Sequence, residues 1–301
     1  MTSAPRVSVV VLNWNGLADT RECLESLKAV SYPDYRVIVI DNGSREDEAR
    51  ALQSAFGDFA RVVRSETNRG FAGGANIGIR EALSQGSDYV LLLNNDTTVD
   101  PSFLSALVEA AQTLPALAAA CPKTFFYETP EVIYSTGGKF SLWRGVAQQI
   151  GRGQGDRGQF ERLERRGYAD GVCMLIPANA IERVGLLDED YFAYWEETDW
   201  CARAGHLGLS CYYVPGARIW HKAARSQAPD PEFHYRYRRN ALLFVRKRGT
   251  GLQFLCALLM HLFGYAPLYF LRHPTKIRRA AAEARALLWH ASNQPKERPL
   301  A

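Results

Sequence analysis

Leu91-Leu-Leu-Asn-Asn-Asp-Thr-Thr98 ends an apolar stretch in a short polar cluster, and its single acid, Asp96, can bind a divalent cation. A hard cation on oxygen ligands commonly neutralises a diphosphate, which makes a diphosphate leaving group the natural client. From this segment alone, a simple turn after a strand accounts for Asn94, Asn95 and Asp96 equally well. A second acidic cluster follows the aromatic run Tyr191-Phe-Ala-Tyr-Trp195, where Glu196, Glu197 and Asp199 place three carboxylates in four residues. Such crowding raises at least one pKa and can poise a general base, although acids also favour the first turn of a helix for its dipole. His221, beside Trp220, is either a structural histidine or a ligand.

The elements that must position these residues are legible from periodicity. Val7-Ser-Val-Val-Val-Leu12 is a β-branched run suited to a parallel strand covered on both faces, broken by Asn13-Trp-Asn-Gly16. A helix over Leu17 to Ala29 and a second buried strand, Val37 to Ile40, complete a βαβ opening. That strand ends in Asp41-Asn-Gly-Ser44, and a third, near Arg61 to Arg64, leads to Asn68-Arg-Gly-Phe-Ala-Gly-Gly-Ala-Asn76. A glycine-rich turn that opens a helix can bring backbone N–H groups and a helix N-terminus near phosphate. The strand Tyr89 to Leu93 then delivers the Asn94–Asp96 cluster. Alternation of strand and helix over the first 120 residues predicts an α/β layer with a mostly parallel sheet and ligands at the strands' carboxyl ends. Polar clusters fall at three such ends.

At 301 residues the chain suits one large domain, or a domain of about 200 to 250 residues with an appendage. A formal net charge of +4 is too small to argue for nucleic acid, and no nucleic-acid partner is expected. Six cysteines without a C-x-x-C pair point to a reducing, cytosolic compartment, and no signal peptide is visible. The Arg/Gly/Gln-rich segment from Arg144 to Gly167 is expected to be a mobile loop. The tail differs: a helix over Glu232 to Arg248 is rich in Tyr and Arg, and Leu252 to Leu271 is an apolar run interrupted by Gln253, His261, Gly264 and Pro267. With basic flanks, that run suits a helix lying in a membrane interface better than one spanning it. A helical hairpin packed on the catalytic domain, or a homo-oligomer contact, is the alternative.

Taken in order, Val7 to Gly16, Val39-Ile-Asp-Asn-Gly-Ser44, Asn68 to Asn76, Leu92-Leu-Asn-Asn-Asp96 and Trp195-Glu-Glu-Thr-Asp-Trp200 resemble the successive motifs of family 2 glycosyltransferases, particularly bacterial rhamnosyltransferases of cell-surface polysaccharide synthesis. The resemblance covers about residues 6 to 248. It implies a GT-A fold, Rossmann-like with helices on both faces of a mostly parallel central sheet, over residues 1–225, while the tail's own composition marks 226–301 as a basic amphipathic helical region. The implied reaction is an inverting displacement at the anomeric carbon of a nucleotide-diphosphate sugar, with dTDP-rhamnose the first choice of donor and a UDP-sugar the second. Asp41 would hold the base or ribose, with Asn13, Asn15, Arg69, Asn76 and Asn95 also on the donor side. Asn94 and Asp96 stand at the D-x-D position, Asn replacing the first acid, and His221 matches a metal-binding histidine, for Mg2+ or Mn2+. Glu197 matches the base, Asp199 is its rival, and Asp170 matches an acceptor-side acid. The acceptor would be a glycan or polyprenyl-diphosphate-linked glycan at the cytoplasmic face of the inner membrane, the tail docking peripherally on the inner leaflet.

Two other readings use the same residues. A sugar-nucleotide nucleotidyltransferase would want a basic, glycine-rich loop after the first strand, and Asn13-Trp-Asn-Gly16 has no Lys or Arg. A non-catalytic nucleotide- or carbohydrate-binding protein would keep the pocket without using the acids. The glycines of residues 70–78 do not form G-x-G-x-x-G, and Ser135 to Lys139 is not a P-loop.

Overall fold

The computed structural model describes residues 4–223, 231–265 and 277–292. Strands β1 (Val7–Asn13), β2 (Tyr35–Asp41), β3 (Ala60–Arg64) and β4 (Tyr89–Asn94) pair in parallel in the order β3-β2-β1-β4. Helices α1 (Leu17–Lys28), α2 (Glu48–Phe56) and α3 (Gly70–Ser84) connect them. Along β1, Val7, Val9 and Val11 pack with Leu24 and Leu27 of α1, while Val10 packs on the other face with Ala75 and Ile79 of α3. Burial on both faces is why the strand is a continuous apolar run rather than an alternating one.

Beyond β4 the sheet becomes mixed, which corrects the expectation of a mostly parallel one. After β5 (Thr97–Val99) and α4 (Phe103–Thr113), β6 (Leu117–Phe126) and β12 (Ser210–His221) pair in parallel with each other. Between β4 and β6 lies β11 (Cys173–Pro177), antiparallel to both. Strand β12 passes Pro215 and Gly216 by a bulge between Val214 and Arg218, so a proline that should break a central strand is looped out of the ladder.

The 144–167 segment is built into the fold instead of forming a free loop. It contributes β9 (Val146–Gln149), paired with β8 (Gly138–Ser141), and β10 (Glu164–Arg166), which adds to β12, while β7 (Ile133–Ser135) adds to β6. Lys123, fully buried on β6, donates to Asp156 at 2.9 Å and to Glu161 and so ties the segment down.

Helices α5 (Ala178–Val184) and α6 (Glu196–His206) cover the α3 face of the sheet. Helix α7 (Pro231–Arg248) buries Leu242, Leu243, Phe244 and Val245 in a cluster that also contains Tyr191 and Trp195. Helix α8 (Gly251–Met260) opens with a capping box of Thr250 and Gln253 and runs into a π-helical turn, His261–Tyr265. Helix α9 (Ile277–Ser292) packs on α7. Among the described residues no helix is long and apolar enough to cross a membrane. Residues 266–271 of the apolar run lie outside the described residues.

Helix α3 comes close to the sheet at Gly78, where an added Cβ would sit 2.2 Å from Cγ1 of Val10. Gly78→Ala should therefore destabilise the fold by about 1–3 kcal/mol, read by denaturant melting. Gly205→Ala, in α6 with open space around the glycine, should be neutral or stabilising. Equal melting of the two variants would contradict this packing account.

Candidate active site

Three strand ends meet at one edge of the sheet. The register pairs Asn13 with Asp41 and Leu12 with Asn94, which puts the polar residues after β1, β2 and β4 side by side. Asp41 is fully buried: Oδ1 accepts from Asn13 Nδ2 at 3.0 Å and from the Ser44 hydroxyl. Its Oδ2 has no hydrogen-bond donor, and the nearest cation, Arg64 Nε, is 3.9 Å away. Asn13 is fixed in turn by Glu48 Oε2 at 2.8 Å and by the Thr20 hydroxyl at 2.7 Å. Asn15 adopts a left-handed φ of 52°, its N–H donating to Ser44 Oγ and its Oδ1 accepting from Arg45 N.

The glycine-rich turn does a different job from the one expected of it. Gly70 has φ +71° and lies so close to Phe192 that a Cβ would meet its carbonyl oxygen at 2.2 Å. Asn76, buried, donates to Leu187 O at 2.9 Å and Glu189 Oε1 at 3.1 Å and accepts from Leu187 N, so its amide is fully used inside the protein. Arg69 pairs with Glu189 at 3.1 Å. These contacts dock the 187–192 segment onto α3, and Asn76 is a structural residue in this arrangement.

At the end of β4, the Asn94 N–H donates to Val172 O at 2.9 Å and its carbonyl accepts from the Thr97 hydroxyl. The Asn95 amide donates to the Thr20 hydroxyl at 2.7 Å, which ties this turn to α1. Strand β5 pairs with β12 so that His221 lies opposite Thr97. His221 Nε2 is thereby 3.1 Å from Asp96 Oδ1, yet neither ring nitrogen has an aligned hydrogen bond although both are buried. An orphaned buried imidazole facing a carboxylate is a donor set that suits a divalent cation. No group of three His, Cys, Asp or Glu side chains suited to a metal occurs among the described residues, so the remaining ligands would be diphosphate oxygens and water. Tyr134 packs edge-on against His221 at 4.7 Å between centroids, and the Arg152 guanidinium lies 4.3 Å above the Tyr134 ring.

Helix α6 presents the acids in its first turn. The turn before it holds Phe192, Tyr194 and Trp195 at φ of 66°, 71° and 78°, three non-glycine residues in strained conformations. What holds them is Asn240 of α7, fully buried, whose amide reaches the carbonyls of Tyr191, Ala193 and Tyr194 at 2.8–2.9 Å. Asp199, the rival base, is fully buried and saturated: Oδ1 accepts from Tyr191 Oη at 2.9 Å and Arg248 Nε at 2.6 Å, and Oδ2 from Arg203 Nε at 3.0 Å. That carboxylate anchors α6 and has no room for a substrate proton. Glu196 Oε2 is buried without a partner, and burial together with the neighbouring Glu197 pushes its carboxyl well above the usual range.

Glu197 alone of the three combines access with a tuned acidity. It is half-buried, and burial, reinforced by the charge of Asp170, raises it to about 7. Gly171 makes room for it, since a Cβ there would come within 3.3 Å of Glu197 Cγ. Asp170 is oriented by Gln149 Nε2 at 2.6 Å and by Val172 N at 3.1 Å. Val172 is also the residue bonded to Asn94, so the two sides of the cleft join at this point.

Sequence reasoning missed Thr20, Gln149, Asn240 and Arg248. Asn240 left a signal, an amide at the head of the apolar run Ala241-Leu-Leu-Phe-Val245 inside a helix, where only a buried role suits it.

The sequence profile described as Glycosyl transferase family 2 matches residues 8–185, more than half of the chain. The low-salt glycan biosynthesis hexosyltransferase Agl10 of Haloferax volcanii is 28% identical over 199 residues, covering 66% of this chain and 61% of that protein. The dTDP-rhamnosyl transferase RfbF of Shigella flexneri is 23% identical over 232 residues, 72% of each protein. The chain thus spans less than two thirds of Agl10 and somewhat more of RfbF. Among solved structures, GalNAc-T7 with UDP, GalNAc and Mn2+ superposes with a TM-score of 0.65 at 15% identity, over 96% of this chain and 56% of that one. The mannosyltransferase PcManGT from Pyrobaculum calidifontis, in complex with GDP-Man and Mn2+, does so with a TM-score of 0.60 at 15% identity, over 98% and 89%. These likenesses establish the α/β, GT-A-like fold with its mixed sheet. Together with the matched profile and the motifs gathered at one sheet edge, they show that the chain belongs to glycosyl transferase family 2.

Proposed function

We propose that the chain is an inverting glycosyltransferase that moves a sugar from a nucleotide-diphosphate donor to a hydroxyl of a glycan. The observation that carries this reading is Glu197, a carboxyl tuned to about 7 beside Asp170, whose neighbour Val172 is bonded to Asn94 at the strand end that leads to the Asp96–His221 pair. A base near neutrality opposite a diphosphate-binding pair is what displacement with inversion requires. Glu197 takes the proton of the acceptor hydroxyl as its oxygen bonds to the anomeric carbon and the bond to the diphosphate breaks. Asp96 and His221 would hold Mg2+ or Mn2+, whose chemistry there is neutralisation of charge on the leaving nucleoside diphosphate. Asp41 offers its unpaired Oδ2 to a nucleobase N–H or ribose hydroxyl. Asn240 fixes the turn that aims Glu197.

The similarity to RfbF favours dTDP-rhamnose as donor, and the structural likeness to GalNAc-T7 makes a UDP-sugar the second choice. A lipid-linked acceptor and a peripheral place on the inner leaflet are supported by α8. Its Leu252, Leu255 and Leu259 are exposed at helical spacing, Phe263 beyond them is 76% exposed, and basic residues flank the run.

Glu197→Gln should lower transfer, followed as nucleoside diphosphate release, by about 10²–10⁴-fold while donor binding persists; unchanged turnover would end the reading. Because the raised acid is protonated below its folded pKa and charged above it, wild-type kcat/KM should climb with pH to about 7 and then level. A profile flat from pH 5 to 8 contradicts Glu197 as base. Asp96→Asn should raise the metal concentration needed for half-maximal rate by about tenfold or more, and an identical metal titration would remove Asp96 from the metal site. Asn240→Ala should cut kcat by about tenfold or more with donor KM unchanged, since a small misplacement of the base costs rate and not donor binding. A loss of donor affinity with kcat intact would assign Asn240 elsewhere.

A further inference from the structure

A cavity of about 360 Å3 lies between the β8–β9 hairpin and the corner formed by α7, α9 and the π-helical turn. Its size falls in the range of small-ligand sites. Two of its walls lead to Glu197. Val146 and Ala147 of β9 line it, and two residues on, roughly 7 Å along the strand, Gln149 bonds Asp170, whose neighbour Gly171 packs against Glu197. On the other wall Tyr237 lines the cavity and sets its ring 5.7 Å from Trp195, the residue that enters α6. The far wall is the turn carrying His261 and Tyr265, with exposed Phe263 between them.

Arg238, His261 and Glu283 of the lining balance one another. Arg238 faces Glu283 at 3.5 Å and donates to His261 Nδ1 at 2.7 Å. His261 is neutral, its Nε2–H directed at the carbonyls of Arg144 and Gly145, and burial with the Arg238 charge lowers its pKa to about 4. A compensated arginine beside a neutral imidazole leaves no net charge there for an anion. Tyr237 and Tyr265 add flat faces with polar tips.

We propose that this cavity is the subsite for an uncharged sugar unit of the acceptor, the one carrying or adjoining the hydroxyl that Glu197 deprotonates. The assignment rests on the transferase reading given above and commits its acceptor to a neutral hexopyranoside at this position. The lipid end then leaves past Phe263 toward the exposed face of α8, and any diphosphate of the acceptor stays outside the cavity.

The test uses the full chain and saturation-transfer NMR with methyl α- and β-hexopyranosides and their 6-phosphates, with dTDP and UDP binding measured on the same samples. At least one neutral glycoside should bind the wild type. Ala147→Phe, which fills the cavity, should weaken it at least tenfold with nucleotide binding unchanged. Tyr237→Ala, which removes a wall without filling the space, should give the same loss if the first variant folds poorly. Binding of no neutral glycoside, of the phosphates only, or of neutral glycosides equally by wild type and both variants would overturn the proposal. Glycoside binding that is lost in both variants, in a protein that binds neither nucleotide, would leave the sugar subsite standing and remove the transferase reading instead.

Discussion

The buried carboxylate of Asp199 is the interaction on which the geometry of the cleft depends. It receives Tyr191, Arg203 and Arg248 and so ties α6 to the aromatic turn before it and to the end of α7. Arg203 extends the tie, donating to the carbonyls of Val184 and Leu186 at 2.6 and 2.7 Å. Burying such ions costs solvation that their attraction only partly offsets, so the network is a poor source of stability but a strict setter of register. Its effect is to fix the axis and rotation of α6. With Asn240 holding the three strained residues before it, the first turn of the helix can point Glu197 into the cleft.

Three acids in four residues then have three fates, decided by partners and not by sequence proximity. Successive residues on a helix are rotated by about 100°, so Glu196, Glu197 and Asp199 face different surroundings. Asp199 meets two guanidinium groups and a hydroxyl. Glu196 meets none and is driven toward its neutral form. Glu197 lies between these limits, desolvated and repelled by Asp170 but partly stabilised by Thr198 and the backbone. Environments that separate the pKa values of neighbouring acids are how one short segment can hold both an anchor and a base.

The parallel strands and their polar ends were legible because burial on two faces forces β-branched runs, and chain reversal at the sheet edge leaves polar residues there. Direction was not legible: Cys173-Met-Leu-Ile176 reads as a buried strand, but no periodicity tells antiparallel from parallel. Glycines 70, 73 and 74 were read as a phosphate turn, whereas the spacing of four through residues 70, 74 and 78 places these on one face of α3. There Gly74 and Gly78 let the helix approach Leu12 and Val10. Close packing accounts for that spacing without a ligand. The resemblance ranked Glu197 over Asp199, but the cause of the difference was out of reach, because Arg248, Gln149 and Asn240 come from distant parts of the chain and meet only in the fold.

The antiparallel strand β11 explains why the two halves of the site can meet at all. In a parallel sheet every strand delivers its last residues to the ligand edge, and the residues before it lie at the opposite edge. A strand running the other way begins at the ligand edge, so Asp170, Gly171 and Val172 arrive beside Asn94, where β4 ends. The chain then crosses to the far edge, returns through α5 and enters α6 against Gly171. A short backbone link, Asn94 N–H to Val172 O, therefore sets the spacing between the Asp96 side and the Glu197 side. That spacing is carried by the sheet, while Gln149 of β9 and Asn240 of α7 orient Asp170 and the turn before Glu197 within it.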